Sequence, residues 1–375
     1  MKVVVIRSTA IFKDSRTSKL INELLLLGAE VKVLGWDRLG EYCETAEFKS
    51  ENGTANIEFF KIPCPYGGGI KNLFKSLKFQ NWVKTQIKKL DDDYIIHACD
   101  FDTAKPAFKV KGKKKFIYDI FDYFTESRNM PKILRNVVKK NEDNIVNNAD
   151  AVVICSEQRV KQIADCTPKK LFVIHNTPNL EMTNAENNFS LNENGKFKVT
   201  YVGVLSDNRL LKEILDESKN HLDTEFHIGG IGQLGEYVKN LADNQSNVIY
   251  YGSMPYEYVL KLEEKCDLLF ATYDPSIKNH KYSAPNKFYE AGALKKPIIV
   301  CKNTGVDELV EKENCGLAIE YSAREFFDAV DRLKKDKDLY KTLSENGNVA
   351  YEARYSWATM KNVIRKMYNE VEELR

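Results

Sequence analysis

The chain has 375 residues, 43% hydrophobic and 29% charged, with 56 Lys and Arg against 54 Asp and Glu for a net charge of +2. That length exceeds one ordinary core and suits two domains of roughly 170–190 residues each. The near-balanced charge gives no global argument for a nucleic-acid partner. Eight scattered cysteines include no Cys-x-x-Cys pair, and several sit in apolar runs, as Cys155 does after Val152, Val153 and Ile154. They read as buried, reduced thiols, and no His/Asp/Cys group has metal-ligand spacing, so no metal is expected. The apolar run after Met1 is too short for a signal peptide, and no stretch approaches a membrane span. The expected location is the cytoplasm, or the inner face of the cell membrane.

In chain order, residues 2–6 are β-branched and apolar, the pattern of a buried parallel strand. A polar loop, a helix over residues 17–27 capped by Gly28, and a strand over 31–34 complete a βαβ opening, which predicts a doubly wound α/β sheet. No Gly-x-Gly-x-x-Gly follows the first strand, which disfavours a dinucleotide-dependent oxidoreductase. Loops at the carboxyl ends of parallel strands bind ligands, so Ser8, Asp14 and Arg16 are cleft candidates, against a reading as plain surface polar groups. Gly67, Gly68 and Gly69 suggest a hinge before a helix from Lys71 to Leu90, where lysines interleave with Leu73, Phe74, Leu77, Val83 and Ile87. Such a helix fits an anionic membrane surface, or equally the sheet with a solvated lysine face.

Strands over 94–97 and 115–118 run into acidic ends carrying Asp100, and Asp119 with Asp122. These are candidates to hold a ligand hydroxyl at the cleft, with helix capping as the competing role. His97 reads as a packed histidine. A helix over 129–147, strands over 151–155 and 170–174, and the polar stretch 179–194 then mark a boundary. The division expected is 1–178, 179–352 and a closing helical segment 353–375.

The second domain restarts with a strand over 197–202. Gly203 there lets backbone approach a ligand, and Arg209 offers a planar fork suited to phosphate. Residues 226–232 form the next strand and glycine turn. From Tyr282 to Val300 the chain reads Tyr-Ser-Ala-Pro-Asn-Lys-Phe-Tyr-Glu-Ala-Gly-Ala-Leu-Lys-Lys-Pro-Ile-Ile-Val. Pro285 and Asn286 lead into a helix over 287–294 whose small residues Ala291, Gly292 and Ala293 allow close packing on a sheet. Lys287 beside that helix N-terminus makes an anion site, and Glu290 one turn deeper can accept from sugar hydroxyls. The alternative is an ordinary surface Lys–Glu pair.

This last stretch resembles the donor-binding motif of glycosyltransferase family 4, whose members often read Pro-x-Lys-x-x-Glu-Ala-x-Ala-x-Gly-x-Pro-Ile-Ile. The resemblance implies a two-domain GT-B fold, a retaining glycosyltransferase, and binding of the donor ribose by Glu290. It implies a nucleotide-diphospho sugar donor (UDP-sugar or GDP-sugar) contacted by Gly203, Arg209, Lys287 and the loop Tyr282, Ser283, Pro285 and Asn286. Ser253 and Met254 match the family's base-proximal loop. Arg209 falls on one of two basic positions for the diphosphate, the other being Val204. Tyr282 stands where many relatives carry a second glutamate, and Phe121 where many carry a histidine.

Arg209 and Lys287 are thus the expected catalytic cations, with Asp119 and Asp122 beside the acceptor and Ser8, Asp14, Arg16 and Asp100 around it. The donor is a substrate; no cofactor is expected. The acceptor expected is a glycan or lipid-linked sugar of surface polysaccharide synthesis. A non-catalytic nucleotide-sugar-binding subunit and a sugar-nucleotide 2-epimerase remain alternatives.

Overall fold

The computed structural model describes residues 1–64, 72–128, 130–180, 191 and 193–374, which leaves the expected hinge at 67–69, Lys71 and most of the polar stretch 179–194 outside the described residues. The chain forms two compact units, one of residues 1–175 with 360–375 and one of residues 176–359.

The first unit is built on β1 (Lys2–Ile6), β2 (Glu30–Trp36), β3 (Thr45–Ser50), β4 (Gly53–Phe60), β5 (Tyr94–Cys99), β6 (Lys115–Ile120), β7 (Ala151–Ile154) and β8 (Leu171–Val173). Their order is β3-β4-β2-β1-β5-β6-β7-β8, with every pairing parallel except β3 with β4. The β3–β4 hairpin was not evident in the sequence. An edge strand need bury no face, and β3 alternates only between exposed and half-buried residues. Helices α1 (Ser15–Leu26), α2 (Leu73–Lys88), α3 (Phe101–Lys109), α4 (Phe124–Ser127) and α5 (Lys132–Asn148) flank the sheet. Phe79, Val83 and Ile87 of α2 are fully buried, and Phe79 stacks on Trp36 at 4.6 Å between ring centroids. The first turns of α2 stand apart: Leu73, Phe74 and Leu77 are exposed. The reading of this helix as packed on the sheet therefore holds for its second half.

The second unit contains β9 (Phe197–Val204), β10 (Thr224–Ile231), β11 (Val248–Tyr250), β12 (Leu268–Ala271), β13 (Ile298–Cys301) and β14 (Gly316–Ile319). They pair, all parallel, in the order β11-β10-β9-β12-β13-β14. Counted from its own first strand this is 3-2-1-4-5-6, the doubly wound order whose ligands lie where the strand order reverses. Here the reversal falls between β9 and β12; in the first unit it falls between β1 and β5. Helices α6 (Leu211–Glu217), α7 (Gly235–Asn244), α8 (Tyr256–Lys265), α9 (Asn286–Ala293), α10 (Val306–Glu313), α11 (Ala323–Lys335) and α12 (Lys337–Ala350) cover it. Gly292 meets α12: a Cβ there would lie 2.9 Å from Gly347 O, so the small residues of α9 admit a neighbouring helix as well as the sheet. The last helix, α13 (Trp357–Glu372), joins the first unit from Met360 onward. There Arg365 pairs with Glu23 at 2.7 Å and Tyr368 meets His97. Six of the eight cysteines are buried, Cys166 is half-buried, Cys43 is exposed, and all are free.

Candidate functional site

In the second unit the candidate donor residues gather at the carboxyl edge beside the strand-order reversal. Lys287 is buried. Its Nζ donates to Val202 O, lies 4.9 Å from the Tyr201 ring centroid, and comes 3.7 Å from where a side chain at Gly203 would begin. A Cβ at 203 would rest in ordinary contact with the ammonium and the Tyr201 hydroxyl, so the glycine leaves that edge uncovered. Glu290 is 2% exposed and accepts from the Tyr256 hydroxyl at 2.8 Å. The alternative of a surface Lys–Glu pair is thereby corrected: each side chain turns inward to its own partner. Pro285 holds the N-cap position of α9 at φ −65° and no side chain caps its first turn, so the free N–H groups remain available to an anion.

Arg209 follows β9 in a short turn. Its guanidinium lies 3.9 Å from the Tyr273 ring centroid and donates to His280 Nε2 at 3.1 Å. His280 Nδ1 lies 2.8 Å from Asp274 O, and since a carbonyl only accepts, Nδ1 carries the hydrogen and Nε2 receives the arginine. Burial, followed by the neighbouring guanidinium, holds His280 below its ordinary pKa and so in this neutral form. Tyr201, within hydrogen-bonding reach of Arg209, places its ring beside Lys287, so one aromatic side chain separates the two cations. Neither Tyr273 nor His280 stood out in the sequence. A cation stacked on a ring has no local pattern to reveal it.

The remaining donor candidates divide. Ser253 is exposed and Met254 half-buried, its Sδ 3.1 Å from a Cβ built at Gly229. The Ser283 hydroxyl is spent on two carbonyls, His280 O at 2.8 Å and Thr304 O at 2.7 Å. Asn286 Oδ1 accepts from Asn176 at 2.7 Å. Tyr282 is half-buried at the end of a helical turn that Gly305 approaches closely, and Val204 is exposed.

In the first unit the acceptor-side candidates are tied to one another. Arg16 is buried; its guanidinium donates to Asp119 Oδ1 at 2.8 Å and to Ile174 O at 2.7 Å. Asp119 Oδ2 faces His97 Nε2 at 3.3 Å, and His97 Nδ1 meets the Tyr368 hydroxyl at 2.7 Å. Burial alone would raise Asp119, but Arg16 and His97 outweigh it and hold the carboxylate below its ordinary range. Asp119, expected at a strand end beside the acceptor, is thus an interior ion-pair partner. Asp14 accepts from Thr17 N at 3.1 Å as the N-cap of α1, and from Arg7 at 2.6 Å. Asp100 pairs with Arg7 and accepts from Phe121 N at 3.0 Å and Asp122 N at 3.2 Å; burial, against the pull of Arg7, pushes it up to about 6. Asp122 is exposed and pairs with Arg159 at 3.1 Å, rather than capping a helix. Ser8 is half-buried and its carbonyl accepts from Arg38 at 2.7 Å.

The sequence reading missed Arg7, which joins this cluster with no motif to mark it. The Phe121 ring lies 4.1 Å from the Arg7 guanidinium and 4.7 Å from that of Arg16. Two guanidinium groups against one ring suit an aromatic hydrocarbon better than an imidazole able to take a charge. His97, Cys99 and Asp119 place possible metal ligands within 4.8 Å of one another, a grouping the spacing had not suggested. Asp119 in this group already pairs with the Arg16 guanidinium at 2.8 Å.

Residues 183–349 match the family described as Glycosyl transferases group 1. No curated protein matches the chain by sequence. Among solved structures, a sucrose-phosphate synthase from Thermosynechococcus elongatus aligns with TM-score 0.78 at 15% identity over 99% of each chain. An E. coli structure titled as trehalose-6-phosphate bound with UDP-2-fluoro glucose aligns with TM-score 0.72 at 11% identity over 100% of each chain. HepE of Anabaena, in complex with UDP and glucose, aligns with TM-score 0.67 at 16% identity over 98% of this chain and 99% of its own. The chain therefore has the GT-B fold of two Rossmann-like units, and the match to glycosyl transferases group 1 falls within the second of them.

Proposed function

We propose that the protein is a retaining, metal-independent glycosyltransferase of the family 4 type, moving a sugar from a nucleotide-diphospho donor to a glycan or lipid-linked acceptor. The observation that carries this reading is the arrangement at the β9 edge. Arg209 and Lys287 flank Tyr201, the backbone at Gly203 is bare, and the free N-terminus of α9 and the carboxylate of Glu290 lie on one helix. Breaking the bond from the anomeric carbon to the diphosphate builds negative charge on the leaving group. Two fixed cations and a row of N–H groups stabilise that charge without having to reorganise. Glu290 holds the ribose hydroxyls. The acceptor attacks from the face the diphosphate leaves, and the leaving phosphate takes its proton, so no protein nucleophile is required. UDP or a UDP-sugar in two of the aligned structures favours a uridine donor, with GDP-sugars as the second class.

The exposed first turns of α2 support a peripheral membrane contact on the cytoplasmic face. Leu73, Phe74 and Leu77 stand beside Lys75 and Lys78, while Ile133, Leu134 and Val137 are exposed on α5, and α3 packs against both helices. No described helix is long and apolar enough to cross a membrane. Sedimentation with anionic vesicles should fall on Phe74→Glu; undiminished binding would refute the contact.

The donor site is tested by calorimetric titration with UDP, GDP, ADP and CDP against wild type, Glu290→Ala and Arg209→Gln. One nucleotide should bind wild type. Arg209→Gln should weaken it about 10- to 100-fold, the worth of a charge-assisted bond, and leave the parent nucleoside unaffected. Equal losses for nucleotide and nucleoside would refute the diphosphate role, and no binding by any of the four would refute the donor site.

A further inference from the structure

Beneath Glu290 lies a second carboxyl group that the sequence did not single out. Glu263, on α8, is fully buried, and among the described residues neither of its carboxyl oxygens meets a hydrogen-bond donor. It lies within hydrogen-bonding reach of Glu290 on α9. Two carboxylates in contact away from water cannot both stay ionised. One proton between them turns repulsion into a short, charge-assisted O–H···O bond. The surroundings decide which group keeps it. Glu290 has the Tyr256 hydroxyl as donor at 2.8 Å, whereas no described donor reaches Glu263. Burial first, and then the facing carboxylate, push the Glu263 carboxyl well above its ordinary range, against the pull of Lys287.

We propose that Glu263 is a positioning residue: as a neutral acid it donates a hydrogen bond to Glu290 and fixes that carboxylate as the acceptor for the ribose hydroxyls of the donor. The assignment rests on the nucleotide-sugar reading above and gives it a part that Glu290 alone lacks. With Tyr256 and Glu263 each holding a lone pair, the remaining lone pairs of Glu290 have fixed directions. The charge also balances. With one proton shared by the two carboxyl groups, a single negative charge faces Lys287, so no second one meets an arriving diphosphate.

The test compares Glu263→Gln with Glu263→Leu, using UDP and GDP and their 2′-deoxy forms as probes in calorimetric titrations of the full chain. An amide donates as the neutral acid does, so Glu263→Gln should keep wild-type affinity within about threefold, together with the preference for ribose over 2′-deoxyribose. Leucine donates nothing. Glu263→Leu should lose about tenfold in affinity, one oriented hydrogen bond, and most of the ribose preference. Its melting temperature should not fall, because a buried polar group has gone. Equal losses in both variants, or an unchanged ribose preference in Glu263→Leu, would overturn the assignment. Should Glu263→Leu fail to fold, the infrared difference between wild type and Glu263→Gln at pH 7 decides: a protonated-carboxyl band supports the assignment and its absence overturns it. If wild type itself binds neither nucleotide, the donor reading has failed first and the role of Glu263 falls with it.

Discussion

Asp37, at the end of β2, organises the loop after it. One carboxylate oxygen accepts from Gly40 N at 2.8 Å and Glu41 N at 3.1 Å, the other from Tyr42 N at 3.0 Å, and Lys61 reaches the same group from β4's far end. Burial opposes ionisation, but these donors prevail and bring Asp37 from 3.8 to about 2. A depressed carboxyl contributes stability that is complete above its unfolded value and lost as pH falls through its folded value. The shift corresponds to roughly 2.4 kcal/mol at pH 7, of which about 1 kcal/mol has already gone by pH 3. Asp37→Asn keeps the shape and one acceptor but loses the charge. It should therefore destabilise the first unit by about 2 kcal/mol at pH 7 and by about 1 kcal/mol less at pH 3. Urea unfolding followed through the buried Trp36, with amide exchange at Gly40, Glu41 and Tyr42, measures both. A deficit that is the same at both pH values would refute the electrostatic account and leave packing as the cause.

Glu142 shows the opposite sign. It is buried, accepts from the Tyr118 hydroxyl at 2.8 Å and Phe124 N at 3.2 Å, and has its other oxygen unpartnered, so desolvation raises it from 4.5 to about 7. A raised carboxyl contributes stability below its unfolded value that is lost as pH rises through the folded one. Glu142→Gln should therefore gain on wild type by roughly 3 kcal/mol between pH 4 and pH 8, read as the change in unfolding midpoint, and a pH-independent difference would refute this. At Gly230 the backbone has φ +119°, and a Cβ would lie 1.8 Å from Gly203 O. Gly230→Ala combines positive-φ strain with a backbone clash and should cost the second unit about 3 kcal/mol or more in denaturant unfolding, displacing the Gly203 edge as well. A loss below 1 kcal/mol would contradict that geometry.

Much of the fold was legible because its signals are local. Runs such as Val3 to Ile6 and Ile298 to Val300 announce buried parallel strands, and the placing of helices between them leads to the doubly wound order. The motif from Pro285 to Glu290 carried its own turn, helix start and charges, so the donor-side candidates could be named in advance. The hairpin strand β3 was missed because residues 45–50 have no apolar stripe, only a partner in β4.

Sequence alone thus determined most of the alternation of strands and helices, the glycine at the end of β9 and the presence of cations near a helix start. Tertiary structure decided what each charge does. Arg16 meets Asp119 across 103 residues of chain, and Lys287 meets Val202 O across 85. Glu263 sits on a different helix from Glu290, with no spacing to connect them. Periodicity reports which face of an element is apolar, since burial selects residue types every two or every three to four positions. It does not report which buried charge faces which, because ion pairs and shared protons form between elements whose separation along the chain is arbitrary. For this protein the sequence marked where chemistry should lie, and only packing told which carboxylates are free to take part in it.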